Sequence, residues 1–220
     1  MPIDTTTQSA PLRIDAWVDV ACPWCYVGKK RLETAIASSG HSDDIHLVLH
    51  TFELDPGAPK VPVSNPQYVA RHMGVTVEKA VELEQRMSGL AAAEGLGFTV
   101  ERIHASSFDA LRLVHLAAEY DAACAFFSTV QNALFAGRAD TYSREFLLQS
   151  AVSAGIPEPE ATDVLDGTRF TEEVAADRAE ALQLGARGVP FTVIDQKYGV
   201  PGVISVGGYS DAIATAWAER

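Results

Sequence analysis

Two cysteines separated by two residues are the side chains best suited to chemistry in this sequence. Cys22 and Cys25 enclose Pro23 and Trp24 in the stretch VDVACPWCYVGKKRLE, residues 18–33. Such a pair can hold a metal ion, form a structural crosslink or exchange disulfides with other molecules. A cysteine at a helix start meets free backbone N–H groups and the positive end of the helix dipole, which favour the thiolate. The thiolate is the form that attacks a disulfide.

Ligand counting weakens the other two interpretations. A structural zinc site needs four ligands, but the third cysteine, Cys124, stands alone, and the histidines show no paired ligand spacing beyond the strand-spaced His46 and His50. A permanent crosslink across three residues would restrict the unfolded chain very little. The pattern favours a redox dithiol without metal or cofactor, in which Cys25 resolves the mixed disulfide that Cys22 forms.

The hydrophobic pattern places the cysteines between a strand and a helix. Residues 12–20 are predicted to form a buried strand, a helix to run from Pro23 to Ser38, and residues 45–52 to form a second strand. A β-α-β start favours two parallel strands joined by a right-handed crossover. Cys22 is then expected at the N-cap of the helix.

A long helical block follows a proline-rich loop at residues 53–66. Within the block, only the residues near Phe98–Val100 are candidates for a strand. The helices are predicted over residues 65–73, 76–94, 106–119, 122–137, 143–154 and 158–166.

The end of the chain returns to mixed elements. Thr171 is expected to cap a helix that stops at Gly185. Two short strands, 190–195 and 200–206, are predicted around a Gln-Lys-Tyr-Gly turn, and Ser210 is expected to start the last helix.

Without the helical block, the element order is β-α-β-α-β-β-α, which is the order of the thioredoxin fold. We therefore predict one discontinuous α/β domain over residues 1–220. Its thioredoxin core would comprise about 12–62 and 169–220, and an all-helical insertion would comprise about 63–168.

A proline far along the chain is the second expected part of the site. In GARGVPFTVID, residues 185–195, Pro190 stands at the start of a strand, where it is poorly placed for ladder hydrogen bonds. The position makes sense if the Val189–Pro190 peptide bond is cis and the resulting bend contacts another part of the protein. The alternative is an edge-strand proline without a function. In the thioredoxin fold such a proline faces the cysteine pair, and the preceding residue offers its backbone to an extended substrate.

These segments resemble the DsbA-type thioredoxin-like oxidoreductases, and among them the FrnE-like branch. The similar segments are VDVACPWCYVGKKRLE, FELDP, EGLGF, FDALRLVHLA, NALFAG and GARGVPFTVI, which follow the family's order over nearly the whole chain. The resemblance implies a thioredoxin fold with a helical insertion and a protein disulfide oxidoreductase or isomerase. Its partners would be thiol- or disulfide-containing proteins, with glutathione or another small thiol as a further candidate.

The resemblance also implies a set of site residues. It makes Cys22 the nucleophile and Cys25 the resolving thiol. It also makes Pro190, preceded by Val189, the substrate-facing proline. Pro23 and Trp24 are expected to bind substrate as well, because they lie between the cysteines and Trp24 can offer an exposed apolar surface beside the thiols.

Two departures from the family leave the direction of electron flow open, and two alternative functions stand beside the redox one. Trp24 stands where many periplasmic relatives have a histidine, and Ala16 stands where classical thioredoxins have a buried acid, with Asp15 and Asp19 nearby. One alternative is an enzyme like kappa glutathione transferase or 2-hydroxychromene-2-carboxylate isomerase, which would use a thiol cofactor and typically has serine in place of Cys22. The other is a non-catalytic peptide-binding or chaperone module.

Composition excludes several classes of partner. The 220-residue chain carries a formal net charge of −12, which disfavours nucleic acid and anionic lipid. It contains no stretch of about 18 apolar residues that could span a bilayer. The start MPIDTTTQSAPLRID lacks the basic and apolar parts of a secretory signal, so a cytoplasmic location is expected.

Overall fold

The computed structural model describes residues 11–220, so most of the segment inspected for a secretory signal lies outside the described residues. The strands are β1 (Leu12–Val18), β2 (Ile45–Thr51), β3 (Val63–Ser64), β4 (Ile103–His104), β5 (Phe191–Ile194) and β6 (Tyr198–Pro201). The helices are α1 (Pro23–Ser38), α2 (Asn65–Met73), α3 (Val77–Ala93), α4 (Phe108–Ala118), α5 (Ala123–Phe135), α6 (Arg144–Ser153), α7 (Glu158–Asp166), α8 (Thr171–Gln183) and α9 (Val206–Ala218). Within residues 11–220, no helix is both long and apolar enough to cross a bilayer.

Four strands form the central sheet in the order β2-β1-β5-β6. Strand β1 runs parallel to β2, with Leu12 opposite Ile45 and Val18 opposite Thr51, which confirms the predicted β-α-β start. Strands β5 and β6 continue the sheet as an antiparallel hairpin beside β1. The result is an α/β thioredoxin-like fold, with helices α2 to α7 inserted between β2 and α8.

The sheet and much of the insertion share one hydrophobic core. Ile14 and Val20 of the first strand region belong to the same buried cluster as Leu113 of α4 and Phe126 of α5. Helix α1 packs against α9, and α8 packs against β1 and β2. The predicted boundaries between thioredoxin core and insertion, near residues 62/63 and 168/169, stay a prediction, because the packing is continuous across them.

The structure corrects two expectations in the middle of the chain. The expected strand near Phe98–Val100 is absent among the described residues; instead β3 and β4 form a separate two-stranded sheet. Thr171 is the first residue of α8 rather than its cap. The cap position belongs to Phe170, which has a left-handed backbone with φ of 67° and makes no side-chain capping bond.

Two boundaries near the end of the chain also differ from the prediction. The hairpin turns at Asp195 and Gln196, both with positive φ (51° and 56°), so β6 begins at Tyr198. Helix α9 begins at Val206, four residues before Ser210, because Ser205 caps it: the Ser205 hydroxyl oxygen accepts a hydrogen bond from Gly208 N–H at 3.1 Å.

Candidate functional site

The turn between β1 and α1 sets the position of Cys22. The Cys22 N–H donates to the Asp19 carbonyl at 3.2 Å, which turns the chain after the strand. Pro23 then begins the helix, where its fixed φ fits and its missing N–H costs nothing. Cys22 occupies the N-cap, and its Sγ accepts a hydrogen bond from Cys25 N–H at 3.4 Å. This placement at the helix start is the predicted one, and it gives the sulfur a backbone N–H donor from the first turn of the helix.

The two cysteines have different environments. Both are free thiols, Cys22 with 2% of its surface exposed and Cys25 with none. Burial raises the pKa of Cys25 well above its ordinary value, and the hydrogen bond with Cys22 and the nearby charges of Cys22 and Asp19 raise it further. Cys25 therefore keeps its proton and can donate it in a hydrogen bond to the Cys22 sulfur.

The segment around Pro190 contacts Cys22, as expected from the sequence. The Cys22 thiol donates to the Val189 carbonyl at 3.5 Å, and the Val189–Pro190 peptide bond is cis. Gly202 N–H donates to the Pro190 carbonyl at 2.9 Å, which ties the loop to the end of β6. The Pro190 ring packs closely on α1: a Cβ on Gly28 would lie 3.0 Å from Pro190 Cγ.

The residues between the cysteines border open space. Trp24 is 48% exposed although it lies between two buried cysteines. Pro23 and Trp24 both line a cavity of about 730 Å³ that extends into the insertion. The structure thus brings together all six residues named from the sequence, namely Cys22, Pro23, Trp24, Cys25, Val189 and Pro190.

Asp19 is the buried acid nearest the cysteine turn, a placement that strand alternation did not reveal. It is 1% exposed; one carboxylate oxygen accepts from Ala21 N–H at 2.9 Å and the other from Leu54 N–H at 2.8 Å. Burial raises the pKa of Asp19. Asp15, by contrast, pairs with Arg13 and His50.

Two supporting residues escaped the sequence analysis. Gln131 of α5 donates to the carbonyls of Asp19 and Val20 at 3.3 and 3.4 Å, so the insertion holds the end of the strand that leads to Cys22. No local pattern could reveal a contact across more than a hundred residues. Gly28 did carry a signal, since a glycine inside a helix usually has a packing reason.

A thioredoxin-like fold with two free thiols at the start of α1 defines the class of thiol-disulfide oxidoreductases. The model of the DSBA-like thioredoxin domain matches residues 13–214. The chain therefore belongs to the DSBA-like thioredoxin domain family, and it is a DsbA-like oxidoreductase. Among curated proteins, none matches the chain.

Solved structures agree with this assignment. A probable DsbA oxidoreductase from Streptomyces coelicolor is 40% identical, covering 95% of this chain and 91% of its own, with a TM-score of 0.88. Cytosolic disulfide reductase DsbM from Pseudomonas aeruginosa, also solved with GSH, is 21% identical over 94% of this chain and 96% of its own, with a TM-score of 0.61. A 2-hydroxychromene-2-carboxylate isomerase is 15% identical over 94% and 95%, with a TM-score of 0.59. The last two likenesses show the fold alone.

Proposed function

We propose that this oxidoreductase exchanges disulfides with protein substrates through Cys22 as the attacking sulfur and Cys25 as the resolving sulfur. The observation that carries the proposal is the position of Cys22 at the N-cap of α1, with the Val189 carbonyl 3.5 Å from its sulfur. The FrnE-like branch is part of the same proposal, supported by the similar segments along the chain. A cytoplasmic location is also part of it.

The reaction follows from the two thiol environments. The Cys22 thiolate attacks one sulfur of the substrate disulfide, a new Cys22–substrate disulfide forms, and the other substrate sulfur leaves as a thiolate. Cys25 then loses its proton and attacks Cys22 Sγ. The Cys22–Cys25 disulfide forms as the second substrate sulfur leaves. The substrate gains two electrons and the enzyme loses two; the reverse sequence oxidises a substrate dithiol.

The Val189 carbonyl and Trp24 have complementary roles in this proposal. A substrate strand in extended conformation could donate a backbone N–H to the Val189 carbonyl next to the reacting sulfur. Trp24, half exposed beside Cys22, offers an apolar surface to the residues that flank the substrate cysteine. Both contacts recognise the peptide rather than a specific sequence.

The test is a redox titration in glutathione buffers, followed by thiol alkylation and mass mapping. We expect a reversible Cys22–Cys25 disulfide, and its potential will tell whether the enzyme mainly donates or removes disulfides. Insulin reduction should fall to the uncatalysed rate in Cys22→Ser. Cys25→Ser should accumulate a mixed disulfide with the substrate.

Cys124→Ser is the matched control, because it removes the one thiol outside the pair. Cys124 is half-buried in α5, and burial raises the pKa of its thiol, so insulin reduction should be unchanged. Full activity of Cys25→Ser with added glutathione would contradict the two-thiol mechanism and favour the isomerase-like or transferase-like alternative. Activity that survives loss of both cysteines would contradict any thiol mechanism.

A further inference from the structure

A cavity of about 730 Å³ lies between the cysteine turn and the insertion. The turn that holds Pro23 and Trp24 forms part of its wall, and the loop after β2, helices α2 and α3 and the region around β4 form the rest. This volume is typical of small-molecule sites, which measure roughly 300–1,000 Å³. A single aromatic ring needs far less room, since a cavity of about 150 Å³ holds benzene. The cavity is therefore the size of a small organic molecule.

Apolar side chains make up three of the five exposed residues that line the cavity, and His72 and Arg86 are the other two. Trp24, Leu54 and Met73 line it and are 48%, 46% and 56% exposed, respectively. Large apolar side chains gathered around one opening are typical of a binding site. Further in, Val69 and Met87 continue the apolar lining. The surface thus favours a ligand with an apolar body.

Four charged side chains in the wall, Asp19, Asp55, Glu84 and Arg102, already have hydrogen-bond or ion-pair partners within the protein. Arg102 forms an ion pair with Glu84 at 2.5 Å, and both are 5% exposed. The Tyr68 hydroxyl donates to Asp55. Burial and the charge of Arg102 lower the pKa of His104 to about 4, so its ring is neutral at pH 7.

The remaining balance of charge does not favour an anion. Three carboxyl residues line the cavity against two arginines: Asp19, Asp55 and Glu84 against Arg86 and Arg102. A ligand with several carboxylates, such as glutathione disulfide, would meet no excess of positive charge there. A neutral ligand fits better.

Two polar side chains in the wall each have an atom that lacks a hydrogen-bond partner in the described part of the chain. Asn65 lines the cavity and is 3% exposed, and its Nδ2 donor has no hydrogen-bond partner among residues 11–220. The Nε2 of His104, in the same wall, is likewise buried and unpartnered among those residues. Buried polar groups are normally hydrogen-bonded, so each such atom calls for a partner. A ligand acceptor facing Asn65 would supply one.

We propose that this cavity binds the apolar body of a neutral, low-molecular-weight aromatic disulfide and presents its sulfur to Cys22. The ligand carries a hydrogen-bond acceptor for Asn65. This proposal rests on the proposed function, because the cavity lies next to the same thiols: the residues on both sides of Cys22, Ala21 and Pro23, line it.

The chemistry is a two-electron exchange between the ligand and the enzyme. The Cys22 thiolate attacks one ligand sulfur, the ligand S–S bond breaks, and one aromatic thiolate leaves. Cys25, once deprotonated, attacks Cys22 Sγ and releases the second aromatic thiolate. The ligand disulfide is reduced to two thiols, and the Cys22–Cys25 dithiol is oxidised to the disulfide.

The experiment compares two neutral disulfides, 2,2′-dithiodipyridine, whose ring nitrogen can accept from Asn65, and the polar bis(2-hydroxyethyl) disulfide. Reduced enzyme in a Cys124→Ala background reacts with each, and each rate is divided by the rate of the same disulfide with free reduced glutathione. We expect saturation with the aromatic disulfide and a normalised second-order rate constant about tenfold or more above that of the polar one.

Two variants fill the cavity and one serves as control. Val69→Trp on α2 and Ala58→Phe on the loop after β2 both place a ring in the cavity. Each should lower the selectivity, which is the ratio of the normalised rate constants for the aromatic and the polar disulfide, about tenfold. Val152→Trp adds the same ring to an exposed position on α6, outside the cavity, and should leave the selectivity unchanged. Asn65→Leu should raise the concentration of 2,2′-dithiodipyridine that half-saturates the rate. Ala58→Phe decides the test if Val69→Trp does not fold.

The outcomes separate the two proposals. Equal normalised rates for both disulfides, unaffected by the cavity-filling variants, would overturn the cavity proposal while the dithiol function stands. Absence of any exchange and of a Cys22–Cys25 disulfide would overturn the proposed function and this inference with it.

Discussion

At the scale of single residues, the contact between Gly28 and Pro190 shapes the site. Helix α1 passes so close to the proline loop that a Cβ on Gly28 would lie 3.0 Å from both Pro190 Cγ and Val203 Cγ2. The same loop carries the Val189 carbonyl that faces Cys22. The missing side chain of one glycine therefore lets the cysteine helix and the proline loop approach each other.

Gly28→Ala is expected to destabilise the protein and slow disulfide exchange. The added methyl group overpacks the contact with Pro190, which costs about 1–3 kcal/mol, more than the helix propensity gained. Any outward shift of the loop also moves Val189 away from Cys22. Urea unfolding and insulin reduction measure the two effects.

Gly89→Ala is the control for this prediction. Gly89 also lies inside a helix, α3, but nothing lies within 4 Å of its Cβ position. Alanine there should raise the free energy of unfolding by about 0.5–1 kcal/mol and leave exchange unchanged. Equal stabilisation by both substitutions would contradict the packing argument.

At the scale of elements, a partly buried network of histidine and aspartate side chains joins the sheet to two helices. His50 at the end of β2 hydrogen-bonds Asp15 of β1 at 2.7 Å and Asp177 of α8 at 3.3 Å. His115 of α4 lies 3.2 Å from Asp177 and 3.0 Å from the Thr51 hydroxyl. These side chains connect strands β1 and β2 and helix α8 of the thioredoxin core to helix α4 of the insertion.

The network predicts a stability that falls at alkaline pH. Burial lowers the pKa of His50, but hydrogen bonds to Asp15 and Asp177, together with their charges, outweigh this and raise it to about 9. Because the folded-state pKa lies above the unfolded value of about 6.5, the contribution is complete below pH 6.5 and is lost as pH rises through 9. Its size is up to about 3 kcal/mol.

The check is the free energy of unfolding of wild type and His50→Gln between pH 6 and pH 10. The variant should be less stable at pH 6, and the difference should shrink toward pH 10. His46→Gln, an exposed histidine on the same strand, should track wild type at every pH. A difference for His50→Gln that does not change with pH would rule out the titration of His50 as the cause.

At the scale of the whole molecule, the insertion has two parts with different packing. Helices α4 and α5 contribute large side chains such as Leu113 and Phe126 to the core shared with the sheet. Helices α2 and α3, which form the cavity wall, bury mostly small residues, for example Ala70 and Ala80, and the ion pair of Glu84. Less apolar surface is buried there, so the cavity wall is the weaker part.

Hydrogen exchange with mass spectrometry in increasing urea should resolve this difference. Peptides from α4, α5 and β1 should lose protection together, because they share a core, whereas peptides from α2 and α3 should lose it at lower urea. Separate transitions for α4 and β1 would contradict the shared core. A single transition for every peptide would contradict the weaker cavity wall.

Much of the fold follows from local patterns, and the errors also have local reasons. Pro23 marks the start of α1, and the strands around it carry β-branched residues at the expected places. Strands β3 and β4 have two residues each, too few for any periodicity. The start of α9 was predicted late because Gly207 and Gly208 interrupt its pattern, whereas the cap at Ser205 decides the boundary.

Some features of the site could likewise be predicted from the sequence, and others could not. The sequence by itself determined the cysteine pair at a helix start, the proline segment and the element order, because spacing and turn chemistry act within a few residues. Only the tertiary structure decided that Asp19 is buried, that the Val189 carbonyl meets the Cys22 sulfur and that a cavity opens beside Trp24. These depend on surfaces far apart in the chain, whose contacts are fixed by packing and burial rather than by local residue preference.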